Sequence, residues 1–122
     1  MKQKILIIED EKKLGSTYRR VLGSKDTVVD WVGSAEESLT ILKKSDYHVV
    51  LTDINLPGMN GIDLLRILKK QFPHLKIGVI TGGPLDEKVI AAKKEADAFL
   101  MKPFDIGELR KTVRKLLQIY LR

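Results

Sequence analysis

Five side chains able to do chemistry stand where apolar runs end. "KILIIED" closes on Glu9 and Asp10, "HVVLTD" on Asp53, "KIGVIT" on Thr81, and "AFLMK" on Lys102. If these runs are parallel strands, three carboxylates, a hydroxyl and an ammonium converge on one edge of a sheet. Crowded carboxylates repel, and without a cation at least one takes up a proton through a raised pKa. A divalent ion relieves the crowding. The chain has no cysteine and no suitably placed histidine pair, so the all-oxygen donor set favours Mg²⁺ over zinc, held by one or two carboxylates, a carbonyl and waters. An aspartate beside such a cation and an ammonium is a receptacle for a phosphoryl group: it can form an acyl phosphate while the charges stabilise the transferring oxygens.

The elements that must position these groups follow from hydrophobic period. Strands are expected at residues 4–9, 27–32, 48–53, 76–81 and 98–101. Most of these runs are continuously apolar, as strands covered on both faces are. Asp30 interrupts the second, which places it at an edge with Trp31 as edge packing. Helical spacing separates them, as in Leu14, Tyr18, Val21 and Leu22, and in Leu109, Val113, Leu116, Leu117 and Tyr120. Ser34 with Glu37 and Asp105 with Glu108 are spaced as capping boxes. Strand and helix in alternation predict an α/β fold: a doubly wound, flavodoxin-like parallel sheet of five strands in order 2-1-3-4-5, flanked by five helices, with its ligand site between the first and third strands. The 122 residues form one domain, long enough to bury roughly 70% of the unfolded surface.

Composition narrows the classes. The net charge of +6 could suggest nucleic acid, but basic doublets such as Lys12-Lys13, Lys43-Lys44, Lys69-Lys70 and Arg114-Lys115 are scattered over helical patterns as solvated faces. Direct nucleic-acid binding is therefore not expected. No apolar run approaches the ~20 residues of a membrane span, and the start "MKQKILIIEDE" lacks a signal-peptide core. A cytoplasmic protein without membrane attachment is expected.

Taken together, "IIEDE", "LTDINLPGMNG", "VITG" and "FLMKPF" resemble, in order and spacing, the acidic pair, phosphoacceptor loop, switch hydroxyl and aromatic-lysine-proline segment of the receiver domain of bacterial response regulators. The resemblance covers the whole chain. It implies that Asp53 is phosphorylated by a sensor histidine kinase, a phosphotransfer protein or a small acyl phosphate. Asp10, Asp53 and the backbone carbonyl of Asn55 would ligate Mg²⁺, with Glu9 acting through water. Lys102 would pair with the phosphoryl oxygens, Thr81 would move to bond them, Phe99 would change rotamer, and the Lys102-Pro103 bond would be cis. The signal would pass through the fourth helix, fifth strand and fifth helix to an output domain or protein, with room for a phosphorylation-dependent homodimer. Such a domain is a switch that promotes only its own phosphotransfer and dephosphorylation.

Some positions depart from common forms. Glu9 stands where Asp is also frequent, Phe99 lacks the hydroxyl of a Tyr, and Gly82-Gly83-Pro84 joins a loop of unusual backbone freedom to a rigid stop. Positions Asn55 and Gly83 would flank the path of attacking water. Gly58 and Gly61 read as turn glycines, Met59 as loop packing, and His48 and His74 as lying away from the site. An alternative is a Mg²⁺-dependent phosphohydrolase of the haloacid-dehalogenase type, but "DIN" supplies Asn55 where such an enzyme needs a proton-transferring Asp. A flavodoxin-like FMN binder would need a phosphate cradle where the chain has the acidic "DEKKLG". The chain stops inside or at the end of an amphipathic helix, which leaves open whether it once continued; "FLMKPFDIGELRKTVRKLL" is similar to receivers that precede transcriptional output domains.

Overall fold

A computed structural model describes residues 2–121. Strands β1 (Gln3–Ile8), β2 (Thr27–Val32), β3 (Val49–Asp53), β4 (Lys76–Thr81) and β5 (Ala98–Met101) alternate with helices α1 (Lys12–Leu22), α2 (Ala35–Lys44), α3 (Gly61–Gln71), α4 (Glu87–Glu95) and α5 (Ile106–Tyr120). All neighbouring strands are parallel, in the order β2-β1-β3-β4-β5. This is the flavodoxin-like arrangement that the alternating periods predict. Strand order reverses between β1 and β3, which opens a crevice at their carboxyl ends.

The period of two along the strands divides the core between the faces of the sheet. Ile5 and Ile7 pack with Tyr18 and Leu22 of α1 and with Leu109, Val113 and Leu116 of α5. Leu6 and Ile8 point the other way, toward Leu42 of α2, Leu64, Leu65 and Leu68 of α3, and Val89 of α4. Every residue of central β3 is buried. Each large side chain so buried stabilises the fold by about 1.5–3 kcal/mol. In β2 only Val29 is buried, as befits an edge. Asp30, the residue that breaks the apolar pattern there, accepts a hydrogen bond from the Tyr47 hydroxyl at 2.5 Å.

Ser34 accepts the Glu37 N–H at 3.1 Å and Asp105 that of Glu108 at 2.7 Å, so both expected caps form. Two more hold the helices beside the crevice. Asn60 accepts from the N–H groups of Ile62 and Asp63, and Asp86 from that of Val89. The same signal, a short polar residue just before a helical period, is readable in the sequence, and each cap is worth about 0.5–2 kcal/mol.

Three strand boundaries shift by one residue: β1 begins at Gln3 and ends at Ile8, and β3 begins at Val49; the last two shifts have side-chain reasons. His48 precedes β3 because its Nδ1, rather than a backbone carbonyl, accepts the Lys4 N–H at 3.0 Å. Glu9 falls just beyond β1: its N–H still bonds Val32 O, but its carbonyl is taken by the Trp31 indole.

Gly58 has φ +74° and needs glycine for its backbone. Gly61, expected to serve a turn, has a different reason. It opens α3 against the end of β3, where a Cβ would lie 2.5 Å from both the Asp53 carbonyl oxygen and Ile54 Cα. Backbone cannot rotate out of the way as a flexible side chain can. Gly61→Ala should therefore lower the unfolding free energy by about 1–3 kcal/mol, measured by urea denaturation.

Candidate functional site

Asp53 is the last residue of β3 and is 5% exposed. The chain turns immediately after it, so its carboxylate reaches the crevice rather than the core. Its Oδ1 accepts the Asn55 N–H at 2.8 Å, and its Oδ2 accepts from Lys102 Nζ at 2.7 Å across 49 residues of sequence. Lys102 follows β5, and its Nζ also lies 3.7 Å from Glu9 Oε1. Its backbone N–H donates to the Thr81 carbonyl at 2.8 Å. Thr81 ends β4, is 1% exposed, and accepts the Gly83 N–H on Oγ1 at a long 3.4 Å. Four strand ends thus deliver Glu9, Asp53, Thr81 and Lys102 to one place. The Lys102–Pro103 peptide bond is cis.

Charge at this edge is partly buried. Burial pushes the Glu9 carboxyl up to about 7, with Asp53 and Asp10 adding to the rise, while the Glu11 N–H and the Lys102 ammonium oppose it. The Glu11 N–H meets Glu9 Oε2 at 3.0 Å. Lys102 is pulled down by its own desolvation, but the hydrogen bond it donates to Asp53 and the charges of Asp53 and Glu9 outweigh that and leave the ammonium above its ordinary value. One cation thus faces two nearly buried acids.

Whether this edge suits a divalent cation depends on its donors. Among the described residues no three side chains of His, Cys, Asp and Glu close around one point. Mg²⁺ requires no such cage, because it keeps several waters and takes one or two carboxylates. Asp10 is exposed beside the site. It lines a cavity of about 500 Å³ with Ile54, Asn55, Pro57, Asn60 and Asp86. Asp10 and Asp53, with the Asn55 carbonyl, offer hard oxygen donors with space for water next to a group whose proton affinity is already raised. The residues fit the ion.

Phe99 lies on β5, partly buried against the α2-α3-α4 face, with Lys93 Nζ 5.4 Å from its ring centroid. Lys93 belongs to the Lys93-Lys94 doublet, one of the scattered basic pairs that read as solvated helix faces, and its ammonium covers this ring as well. Gly82 and Gly83, expected to supply backbone freedom, do not use it: Gly58 alone among the described glycines has positive φ. Their smallness has other neighbours. A Cβ on Gly82 would meet Lys102 Cδ at 3.2 Å, and one on Gly83 would meet Asn55 Nδ2 at 3.6 Å. Met59 packs against the core as loop packing. His48 lies at the amino end of β3 and contacts Lys4 and Tyr120; His74 lies in the α3–β4 connection; both are at the other end of the sheet.

The raised Glu9 makes stability depend on pH. Its folded value of about 7 exceeds the ordinary 4.5, so between these values the native state holds more protons than the unfolded chain, and stability falls as pH rises through that window. In Mg²⁺-free buffer, Glu9→Gln should remove this component. The wild-type stability relative to the variant should decline from pH 4.5 to 7 in urea melts, and a constant difference would refute the assignment.

Comparison with known proteins agrees with this geometry. A family model for the response regulator receiver domain matches residues 5–114. The transcriptional regulatory protein CusR of Escherichia coli (strain K12) is 34% identical over 116 residues, covering 94% of this chain and 51% of CusR. The chain therefore spans about half the length of that relative. The chemotaxis protein CheY-3 of Vibrio cholerae serotype O1 is 34% identical over 123 residues, covering 94% of this chain and 92% of CheY-3. Among solved structures, a CheY-like receiver domain protein from Methanospirillum hungatei JF-1 superposes with a TM-score of 0.92 at 26% identity, covering 99% of this chain and 98% of its own. A receiver model matched along nearly all of the chain, and a relative matched over nearly its whole length, make this chain a member of the response regulator receiver domain family of two-component signalling.

Proposed function

We propose that the chain is a phosphorylation-dependent switch whose phosphoacceptor is Asp53. The observation that carries this reading is the 2.7 Å contact between Asp53 Oδ2 and Lys102 Nζ. That ammonium lies where the oxygens of a phosphoryl group on Asp53 would need it. In the reaction a carboxylate oxygen of Asp53 attacks phosphorus, and the bond from phosphorus to the histidine nitrogen of a sensor kinase or phosphotransfer protein breaks. A small acyl phosphate is attacked in the same way, its carboxylate departing. The Asn55 N–H holds Oδ1 and so fixes the rotamer from which Oδ2 or its neighbour attacks. When bound, Mg²⁺ through Asp10, Asp53 and the Asn55 carbonyl, with Glu9 through water, supplies positive charge for the transferring oxygens.

Thr81 converts the new charge into movement. Among the described residues its hydroxyl is engaged only by a 3.4 Å contact from Gly83, so reorienting toward phosphoryl oxygens loses little. Because Lys102 N–H is bonded to the Thr81 carbonyl, the ends of β4 and β5 shift together. Space vacated near Phe99 lets its ring turn inward with no hydroxyl to desolvate. The face that reads this change is formed by α4, β5 and α5. Ile90, Met101 and Ile106, one on each of those elements, are 46%, 47% and 47% exposed, so each element offers an apolar group to a partner. An output domain or protein binding there is the expected partner. Among the described residues no helix is long and apolar enough to cross a membrane.

Two experiments test the reading. Incubated with acetyl phosphate and Mg²⁺, the wild-type chain should gain one phosphoryl group by intact mass, and Asp53→Asn should gain none; undiminished labelling of the variant would refute the assignment. Beryllofluoride, which mimics the aspartyl phosphate, should shift amide resonances between residues 81 and 110 as well as around Asp10 and Asp53. Thr81→Ala should shrink the distant shifts while leaving phosphorylation measurable, and silence from 85 to 110 in the wild type would rule out the proposed path.

A further inference from the structure

The only tryptophan of the chain, Trp31, lies on edge strand β2, where its sequence context reads as packing. Its contacts go further. The indole Nε1–H donates to the backbone carbonyl of Glu9 at 2.8 Å. The N–H of the same residue donates to the Val32 carbonyl at 3.1 Å. Both backbone groups of Glu9 are therefore held by β2, one by the ladder and one by a side chain. The second bond is needed because β1 and β2 run together only through the Ile8–Val32 pair. Beyond that register β2 turns toward α2, leaving the Glu9 carbonyl without a ladder donor. An indole, which donates and never accepts, supplies it.

The seat for this ring is built into α1. A Cβ on Gly15 would lie 2.1 Å from Trp31 Nε1 and 2.3 Å from Cε2. Glycine inside a helix costs about 1 kcal/mol relative to alanine. Here it is buried within α1, and the indole occupies the space a side chain would take. Glycine and tryptophan, 16 positions apart by their numbers in the sequence, form one device whose product is a fixed Glu9–Asp10 peptide.

That peptide links the two residues of the acidic pair. Asp10 is exposed, and the peptide that leads into it is anchored on its Glu9 side by the two β2 bonds. We infer that Trp31 is a positioning residue for the acidic pair: by holding the Glu9 carbonyl, it orients the Glu9–Asp10 peptide so that both carboxylates face the position of a divalent cation. The inference rests on the Mg²⁺ reading given above and adds to it a residue outside the ligand set.

The test uses the whole chain and Mg²⁺ alone, without phosphodonor. Trp31→Phe keeps an aromatic ring on the Gly15 seat but removes the N–H. Calorimetric titration should show its Mg²⁺ affinity reduced by about tenfold, the lower end of what loss of an outer partner of a ligand costs, with a thermal midpoint close to wild type. In the wild type, the indole N–H resonance, a single peak because the chain has one tryptophan, should shift as Mg²⁺ saturates. An unchanged affinity in a folded Trp31→Phe would overturn the inference. If that variant does not fold, an indole resonance that stays fixed through Mg²⁺ saturation of the wild type overturns it instead. Failure of the wild type to bind Mg²⁺ would be a different result, removing the metal reading itself and this inference with it.

Discussion

A single ammonium, Lys102 Nζ, stands 2.7 Å from Asp53 and 3.7 Å from Glu9, and the functional edge depends on it. Two carboxylates with under a tenth of their surface in water could not both stay charged there without a compensating cation. A lysine is one kind of compensation and a divalent ion is another, and the donors on this edge suit both. The arrangement leaves the edge electrostatically unfinished: one positive charge answers two nearly buried acids and a third, exposed acid at Asp10. Added positive charge is thereby favoured at this edge, which is the electrostatic condition that the proposed phosphoryl transfer to Asp53 needs.

The parallel sheet is what makes such a concentration possible. Each strand of a doubly wound sheet delivers its carboxyl end to the same edge, so residues separated by 49 positions, as Asp53 and Lys102 are, meet without any long-range specificity in the loops. The cost is a core that must be covered on both faces, and the sequence meets it with continuously apolar strands flanked by amphipathic helices. Small residues then mark the tight places. Gly61 admits α3 against the end of β3, and Gly15 admits the indole against α1. Neither glycine is used for a left-handed backbone; both are used for the absence of a side chain.

Movement and rigidity are divided between the two sides of the site. On the side of β1, Glu9 is tied by the Val32 carbonyl, the Trp31 indole and the Glu11 N–H. On the side of β4, Thr81 Oγ1 has one long contact, to a glycine. Helix α4 beyond it is short and buries only Val89 and Ala92. On the proposed reading, a charge added at Asp53 would therefore displace the β4 end more readily than the β1 end, since elements with few buried contacts open at the lowest free energy. The Lys93 ammonium over the Phe99 ring belongs to this softer side, where an attraction of roughly 0.5–1 kcal/mol at an exposed site is small enough to be exchanged.

The sequence by itself determined the layers, the number and type of elements, and the convergence of Glu9, Asp53, Thr81 and Lys102 on one edge, with Asp10 exposed beside them. Periodicity is local and charge is written in residue type, so both are legible in one dimension. It also contained the caps at Asn60 and Asp86, as the same pattern that marked Ser34 and Asp105. Only the tertiary structure decided how each glycine is used, because a glycine records the absence of an atom and not the neighbour that would have collided with it. It likewise decided that Trp31 bonds the Glu9 carbonyl and that Lys93 covers Phe99. Those contacts join side chains to partners on other elements, and their distances are fixed by strand register and helix docking, which no local spacing encodes.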